Sequence, residues 1–175
     1  GGIERRLVEA AGIPYRAIPT GKLRRYFSVR NAIDLFKVAG GFLASRAILS
    51  RERPALLFSK GGFVSVPPVL AARSLGIPVV SHESDLDPGL ATRINARSST
   101  LVITAYADTE STLPTGVRCR ALGNLVRRAV REGRAEGAAD HLSVDLTRPL
   151  LLVVGGSLGA RQLNDIVASE LGTLT

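Results

Sequence analysis

Short continuous apolar runs alternate along this chain with stretches whose apolar positions recur every three or four residues, a pattern that predicts strand and helix in turn. Strands are expected at residues 55–58, 77–81, 101–104, 117–121 and 150–154, with helices at 67–75, 88–96, 125–131 and 160–171. Ahead of them the pattern gives a helix over 3–11 closed by Gly12, a short strand at 14–18 and a basic loop over 19–27. A longer helix then runs from 30 to about 51, interrupted at Gly40-Gly41. Apolar strands without internal alternation belong to a parallel sheet covered by helices on both faces.

The stretch REGRAEGAADHLSVDLT, residues 131–147, is poorer in apolar residues and richer in Gly and charge than its neighbours, and Pro149 marks a fresh start. The expected organisation is therefore a Rossmann-like α/β domain over 1–130, incomplete at its N-terminus. A linker over 131–148 and the first β-loop-α unit of a second Rossmann-like domain over 149–175 follow. One such unit cannot bury both faces of its strand, and the chain enters a helix at Ile3 with no strand before it. Both features lead to the expectation that the natural protein extends past each end.

Composition narrows the class. With 175 residues, 45% hydrophobic and 22% charged, the chain suits an ordinary globular core. Its single cysteine, Cys119, allows no internal disulfide, no Cys/His set has zinc spacing, and no apolar run approaches the roughly 20 residues that span a bilayer. No signal-peptide pattern is present, so a reducing cytosol is the expected compartment.

The net charge of +8 is concentrated at the front: residues 1–60 hold 12 Lys/Arg against 4 Asp/Glu, whereas the remainder is balanced at 11 and 11. Only 5% of residues are aromatic and no nucleic-acid-binding motif occurs, so a nucleic-acid partner is not expected. In the basic segment Arg24, Arg25 and Lys37 are interleaved with Phe27 and Phe36, the composition of a surface that rests on anionic lipid. Equally, Phe36, Leu43 and Ala47 could face the sheet with the arginines merely solvated, and the sequence leaves both readings open.

Candidate chemistry gathers at two glycine turns, each placed where a strand enters a helix. In Ser59-Lys60-Gly61-Gly62-Phe63 the glycines let backbone approach a ligand beside the positive end of a helix. The next strand then delivers His82, Glu83, Asp85 and Asp87 at its C-terminal end, the edge where open parallel sheets bind ligands. His82 is suited either to proton transfer or to a plain hydrogen bond, and Asp87, before Pro88-Gly89, reads as a helix N-cap. The second turn, Gly155-Gly156-Ser157-Leu158-Gly159, suits a phosphate or serves only to pack helix on strand. It spaces its glycines as GGxxG, unlike the dinucleotide fingerprint GxGxxG. Between the turns, Gly123-Asn124 ends a strand and Arg127 follows in the first helical turn, within reach of a diphosphate.

In order, KGGFVSVPP, GIPVVSHESDLDPGLATRIN, LGNLVR and VVGGSLGARQLN resemble, over essentially the whole chain, the family 28 glycosyltransferases that add N-acetylglucosamine to lipid-linked muramoyl-pentapeptide in peptidoglycan synthesis. The resemblance implies a GT-B fold, with the lipid acceptor on the N-terminal domain and the donor nucleotide mainly on the C-terminal one. It implies inverting transfer from UDP-N-acetylglucosamine to an undecaprenyl-diphosphate-linked acceptor, at the cytoplasmic face of a bacterial plasma membrane, with no metal or other cofactor. Gly61, Gly62, Phe63, His82 and Glu83 would line the acceptor; Asp85, Arg127, Gly155, Gly156, Ser157 and Gly159 would meet the donor. Three positions depart from the family pattern: Phe63 replaces Tyr, Leu125 replaces Pro, and Asp85 replaces the Asn of HEQN, keeping hydrogen-bond acceptors for hydroxyls but losing the amide donor. The family's proposed base would precede Gly1, so no catalytic residue is assigned and the chain by itself is expected to be inactive. Transfer of another UDP-sugar, or a non-catalytic membrane-docking subunit, are the alternatives.

Overall fold

Four short strands, β1 (Leu57–Ser59), β2 (Val79–Glu83), β3 (Leu101–Thr104) and β4 (Cys119–Ala121), form one all-parallel sheet in the order β1-β2-β3-β4. Leu57 lies opposite Val79, Val80 opposite Leu101 and Val102 opposite Cys119. The computed structural model describes residues 3–20, 30–145, 147–156 and 159–174. Contacts divide the chain into Gly1–Leu125 and Val126–Thr175.

In the first unit each crossover steps one strand in the same direction. Right-handed connections therefore place α3 (Val66–Ser74) and α4 (Leu90–Ala96) on one face of the sheet. The core lies there: Leu49, Val69, Ala71, Ala72 and Val79 are buried together, with Phe42, Leu57, Leu75 and Ile77 packed around them. Pro67 costs α3 nothing, because N–H groups in a first helical turn have no intrahelical acceptor. Gly76, at φ +71°, ends the helix, and Ile77 N–H returns to Ala72 O at 2.9 Å. The opposite face is only partly covered among the described residues: Phe58 is exposed and Val80, Leu101 and Ile103 are half-buried, unlike the two covered faces expected from the apolar runs.

Ladder limits follow backbone chemistry more than hydropathy. Pro78 has no N–H, so β2 begins at Val79, two residues later than the apolar run suggests, and continues through Ser81, His82 and Glu83. The strand expected at 14–18 does not form. Pro14 and Pro19 bring no donors, and the segment is tied by side chains instead, Arg16 Nε donating to Glu52 Oε1 at 3.1 Å. The leading helix α1 (Ile3–Ala10) buries no side chain, and its Arg5 pairs with Glu9 at 2.8 Å while lying 5.9 Å from the Tyr15 ring centroid.

The interruption expected at Gly40-Gly41 is absent: α2 (Arg30–Glu52) is continuous for 23 residues and packs on α3. Gly41 instead serves close approach. A Cβ there would stand 2.4 Å from Pro19 O and 3.2 Å from the Pro67 ring.

In the second unit α5 (Arg128–Arg131) and α6 (Ala135–Leu142) precede α7 (Arg161–Leu174), so a helix occupies part of the stretch read as linker. Residues 150–154 form no strand. Their apolar side chains are exposed, Leu152 at 67%, because no described segment offers them a ladder partner or covers them.

Candidate functional site

The chain leaves β1 through Lys60 into a turn that only glycine adopts without strain: Gly61 has φ +87° and Gly62 φ +76°. Ser59 Oγ accepts the Gly61 N–H at 3.3 Å, and a 3-10 turn over Phe63–Ser65 leads into α3. Ser65 fixes this geometry. Its hydroxyl donates to Gly62 O at 2.7 Å and accepts from Asn95 Nδ2 at 2.8 Å, and Asn95 is wholly buried on α4. Asn95 thus holds the turn from beneath, a role that a lone polar residue in a helical pattern does not announce.

Beside the turn, the end of β2 supplies the second wall. His82 is 1% exposed and both ring nitrogens are engaged, Nδ1 with Lys60 Nζ at 2.8 Å and Nε2 with Gly123 O at 3.1 Å. A carbonyl only accepts and an ammonium only donates, so this network assigns the proton to Nε2 and leaves the imidazole neutral. Of the two uses the sequence left open, the geometry is that of a structural hydrogen-bonding histidine. Glu83 is buried as well, and its Oε1 receives the N–H groups of Ser84 at 2.8 Å and Asp85 at 3.0 Å. One carboxylate thereby folds the loop back on itself. Asp85 presents an exposed side chain, while its carbonyl and that of Leu86 accept from the buried Thr109 hydroxyl at 3.3 and 3.0 Å.

Asp87 is not the N-cap of α4. Gly89 holds that position without a side-chain cap, and Asp87 pairs with Arg93 at 3.4 Å, because Arg93 also reaches back to Pro88 O and turns its guanidinium toward Asp87. Together the glycine turn, the Ser84-Asp85 loop and the start of α4 enclose a cleft of about 300 Å³, walled by Lys60, Gly61, Gly62, Ser84, Asp85 and Thr92, with Phe63 at its side. Ser84 and Thr92 add hydroxyl groups, and Lys60 adds charge. None of the three was singled out from the sequence, since isolated Ser, Thr and Lys residues carry no spacing signal.

Gly61, Gly62, Phe63, His82, Glu83 and Asp85 are thus brought together in the first unit. Arg127, Gly155, Gly156 and Gly159 belong to the second. Arg127 is exposed just before α5. Gly159, at φ +85°, donates to Gly156 O at 2.8 Å, and a Cβ on Gly155 would lie 2.7 Å from the Ala160 Cβ, so this turn depends on its glycines both for curvature and for contact with α7's approach. Ser157 lies outside the described residues, as do Arg24, Arg25 and Phe27. On α2, Phe36 is 78% and Leu43 64% exposed and Ala47 is exposed too, so these three do not face the sheet; Phe42, Ser45 and Leu49 turn inward instead, on the side that packs against α3. Among the described residues no three His, Cys, Asp or Glu side chains converge as a metal site, and no helix is long and apolar enough to cross a membrane.

Comparison with known proteins places this geometry. A crystal structure of Acinetobacter baumannii MurG superposes with a TM-score of 0.54 at 26% identity, covering 74% of this chain and 36% of that one. A UDP-N-acetylglucosamine--N-acetylmuramyl-(pentapeptide) pyrophosphoryl-undecaprenol N-acetylglucosamine transferase of Treponema denticola is 46% identical over 180 residues, 97% of this chain and 46% of the relative. Proteins of the same name from Treponema pallidum and Staphylococcus haemolyticus are 50% and 46% identical, over 96% and 99% of this chain and 44% and 49% of their own lengths. The chain therefore spans about half the length of the curated relatives it matches. Residues 1–104 match the glycosyltransferase family 28 N-terminal domain, and with its parallel sheet and glycine turn in that region the chain belongs to glycosyltransferase family 28.

Proposed function

We propose that this chain carries the acceptor side of an inverting transferase that moves N-acetylglucosamine from UDP-N-acetylglucosamine to the muramoyl sugar of an undecaprenyl-diphosphate-linked acceptor. The observation that carries the reading is the cleft at Gly61-Gly62, where a left-handed glycine turn, two hydroxyl groups and a lysine meet on a chain 46–50% identical to proteins named for that reaction. The backbone N–H groups of Gly62 and Phe63 and the positive end of α3, whose Pro67 and Pro68 carry no N–H of their own, suit the acceptor's diphosphate, and Ser84, Asp85 and Thr92 suit sugar hydroxyls. The muramoyl 4-hydroxyl attacks the anomeric carbon of the donor sugar, the bond to UDP breaks with inversion, and the hydroxyl proton passes to a base that none of these residues supplies. Donors at the second glycine turn, with Ser157 and Arg127, stabilise the charge on departing UDP, and the proposal includes no metal or further cofactor. Exposed Phe36 and Leu43 beside Lys37 support a peripheral seat on the anionic cytoplasmic face of a plasma membrane, and no nucleic acid enters the reading.

The direct test grafts residues 1–175 into the Treponema denticola relative in place of the matching segment. The chimera is then assayed with UDP-sugars and a lipid-linked muramoyl acceptor. Transfer of N-acetylglucosamine is expected from the chimera and none from the 175-residue chain alone. A chimera that turned over a different UDP-sugar and ignored UDP-N-acetylglucosamine would replace this reading with another lipid glycosyltransferase, Asp85 being the first residue to suspect.

A further inference from the structure

Lys60 stands one residue past β1, and its ammonium is immobilised by two neutral acceptors, His82 Nδ1 at 2.8 Å and the Ser84 hydroxyl. The Lys60 side chain is otherwise exposed. Here the nearby Glu83 carboxylate is taken up by the Ser84 and Asp85 N–H groups, and Lys60 makes no ion pair among the described residues. The imidazole cannot neutralise it either, because Gly123 O holds the ring proton on Nε2 and leaves only a lone pair toward the lysine. The ammonium is therefore held in place by neutral acceptors, with no carboxylate in direct contact among the described residues.

Its position gives that charge a use. Among the described residues lining the Gly61-Gly62 cleft Lys60 is the one cation, against the carboxylates of Glu83 and Asp85. A diphosphate entering a wall with two acids meets net repulsion unless a cation faces it, and the partial charges of backbone N–H groups only in part offset two carboxylates. We propose that Lys60 is a substrate-positioning residue of the acceptor site, its ammonium oriented by His82 and Ser84 so that it contacts the acceptor's diphosphate beside the Gly61-Gly62 turn. His82 then acts through Lys60 and does not touch substrate. The inference rests on the acceptor reading above and adds to it the cation on which binding depends.

Inorganic pyrophosphate is the probe, titrated into the isotope-labelled 175-residue chain while the amides of Gly61, Gly62 and Phe63 are followed by NMR. Wild type is expected to show saturable shifts at these amides. Lys60→Met should weaken pyrophosphate by about tenfold or more, the loss that accompanies one charged hydrogen bond, while Lys60→Arg, which keeps the charge, should stay within about threefold. Dispersed spectra for both variants establish that the fold is retained. His82→Asn is expected to weaken binding less than Lys60→Met, since it loosens the cation without removing it. Equal affinity in wild type and Lys60→Met, with shifts still at the turn, overturns the role of Lys60 and leaves the acceptor cleft standing. Failure of pyrophosphate to shift the turn amides in wild type overturns the cleft reading itself, and Lys60's part with it.

Discussion

Cys119 opens β4 half-buried, and burial, reinforced by the Glu110 carboxylate, pushes its thiol above the ordinary cysteine range. A raised value means less thiolate at any given pH, so the midpoint of its alkylation rate against pH is expected above that of a small free thiol. The midpoint reads ionisation, whereas the plateau rate reads access. Glu110→Gln should bring the midpoint down only part of the way, because burial is the larger cause. A midpoint at the free-thiol value, unmoved by Glu110→Gln, would contradict this account. The same distinction between residue type and surroundings governs what could be read from the sequence at this scale. The glycines at 61 and 62 declared themselves, because positive φ demands that residue. Asp87 did not: the residue before Pro-Gly has N-cap chemistry, yet Arg93 reaching back along α4 captured its carboxylate. His82 and Lys60 acquire their roles only when Gly123, 41 positions away from His82 in the chain, closes the network.

Elements were legible where a period or a breaker marked them, and less so where an absent partner decided. All four strands of the sheet lie at or beside apolar runs, but the runs at 14–18 and 150–154 had the same appearance and form no ladder, since a strand's hydrogen bonds depend on a neighbour that no local pattern reports. Gly40-Gly41 misled for a related reason: a paired glycine signals a break, but within a helix packed on both Pro19 and Pro67 it can equally signal contact. The two glycines therefore separate in a single experiment. Gly40→Ala meets nothing within 4 Å and should stabilise the chain by about 0.5–1 kcal/mol through helix propensity. Gly41→Ala should cost about 1–3 kcal/mol, because its Cβ would collide with Pro19 O and that backbone must move. Urea midpoints at unchanged slope measure both. Shifts of the same sign would mean that α2 does not approach residues 19 and 67 as closely as described.

At the scale of the molecule, two features speak for a lipid-facing front, the charge asymmetry of the sequence and the exposed face of α2. Twelve of the 23 basic residues fall in the first 60 positions against four acids, and on α2 Phe36 and Leu43, spaced by seven residues, lie outside the core that Phe42, Ser45 and Leu49 help to build. Spacing alone left open whether the first pair faced the sheet, because a helix with apolar residues on two sides offers either to the core; the packing of α3 chose the other side. An exposed apolar pair within a basic segment costs little on a surface that meets lipid, where each large side chain leaving water is worth about 1.5–3 kcal/mol and each cation near an anionic leaflet about 1 kcal/mol. The 175-residue chain should then sediment with vesicles containing phosphatidylglycerol and much less with phosphatidylcholine alone, and binding should weaken as salt screens the basic segment. Phe36→Ser with Leu43→Ser, which leaves every charge in place, should reduce binding more than tenfold at low salt. Replacing Arg24, Arg25 and Lys37 by Glu should abolish the preference for anionic lipid. If the serine pair bound as wild type does and only the charge reversal mattered, the attraction would be electrostatic alone and α2 would not enter the lipid; if neither change mattered, the front of the chain would not be a membrane surface.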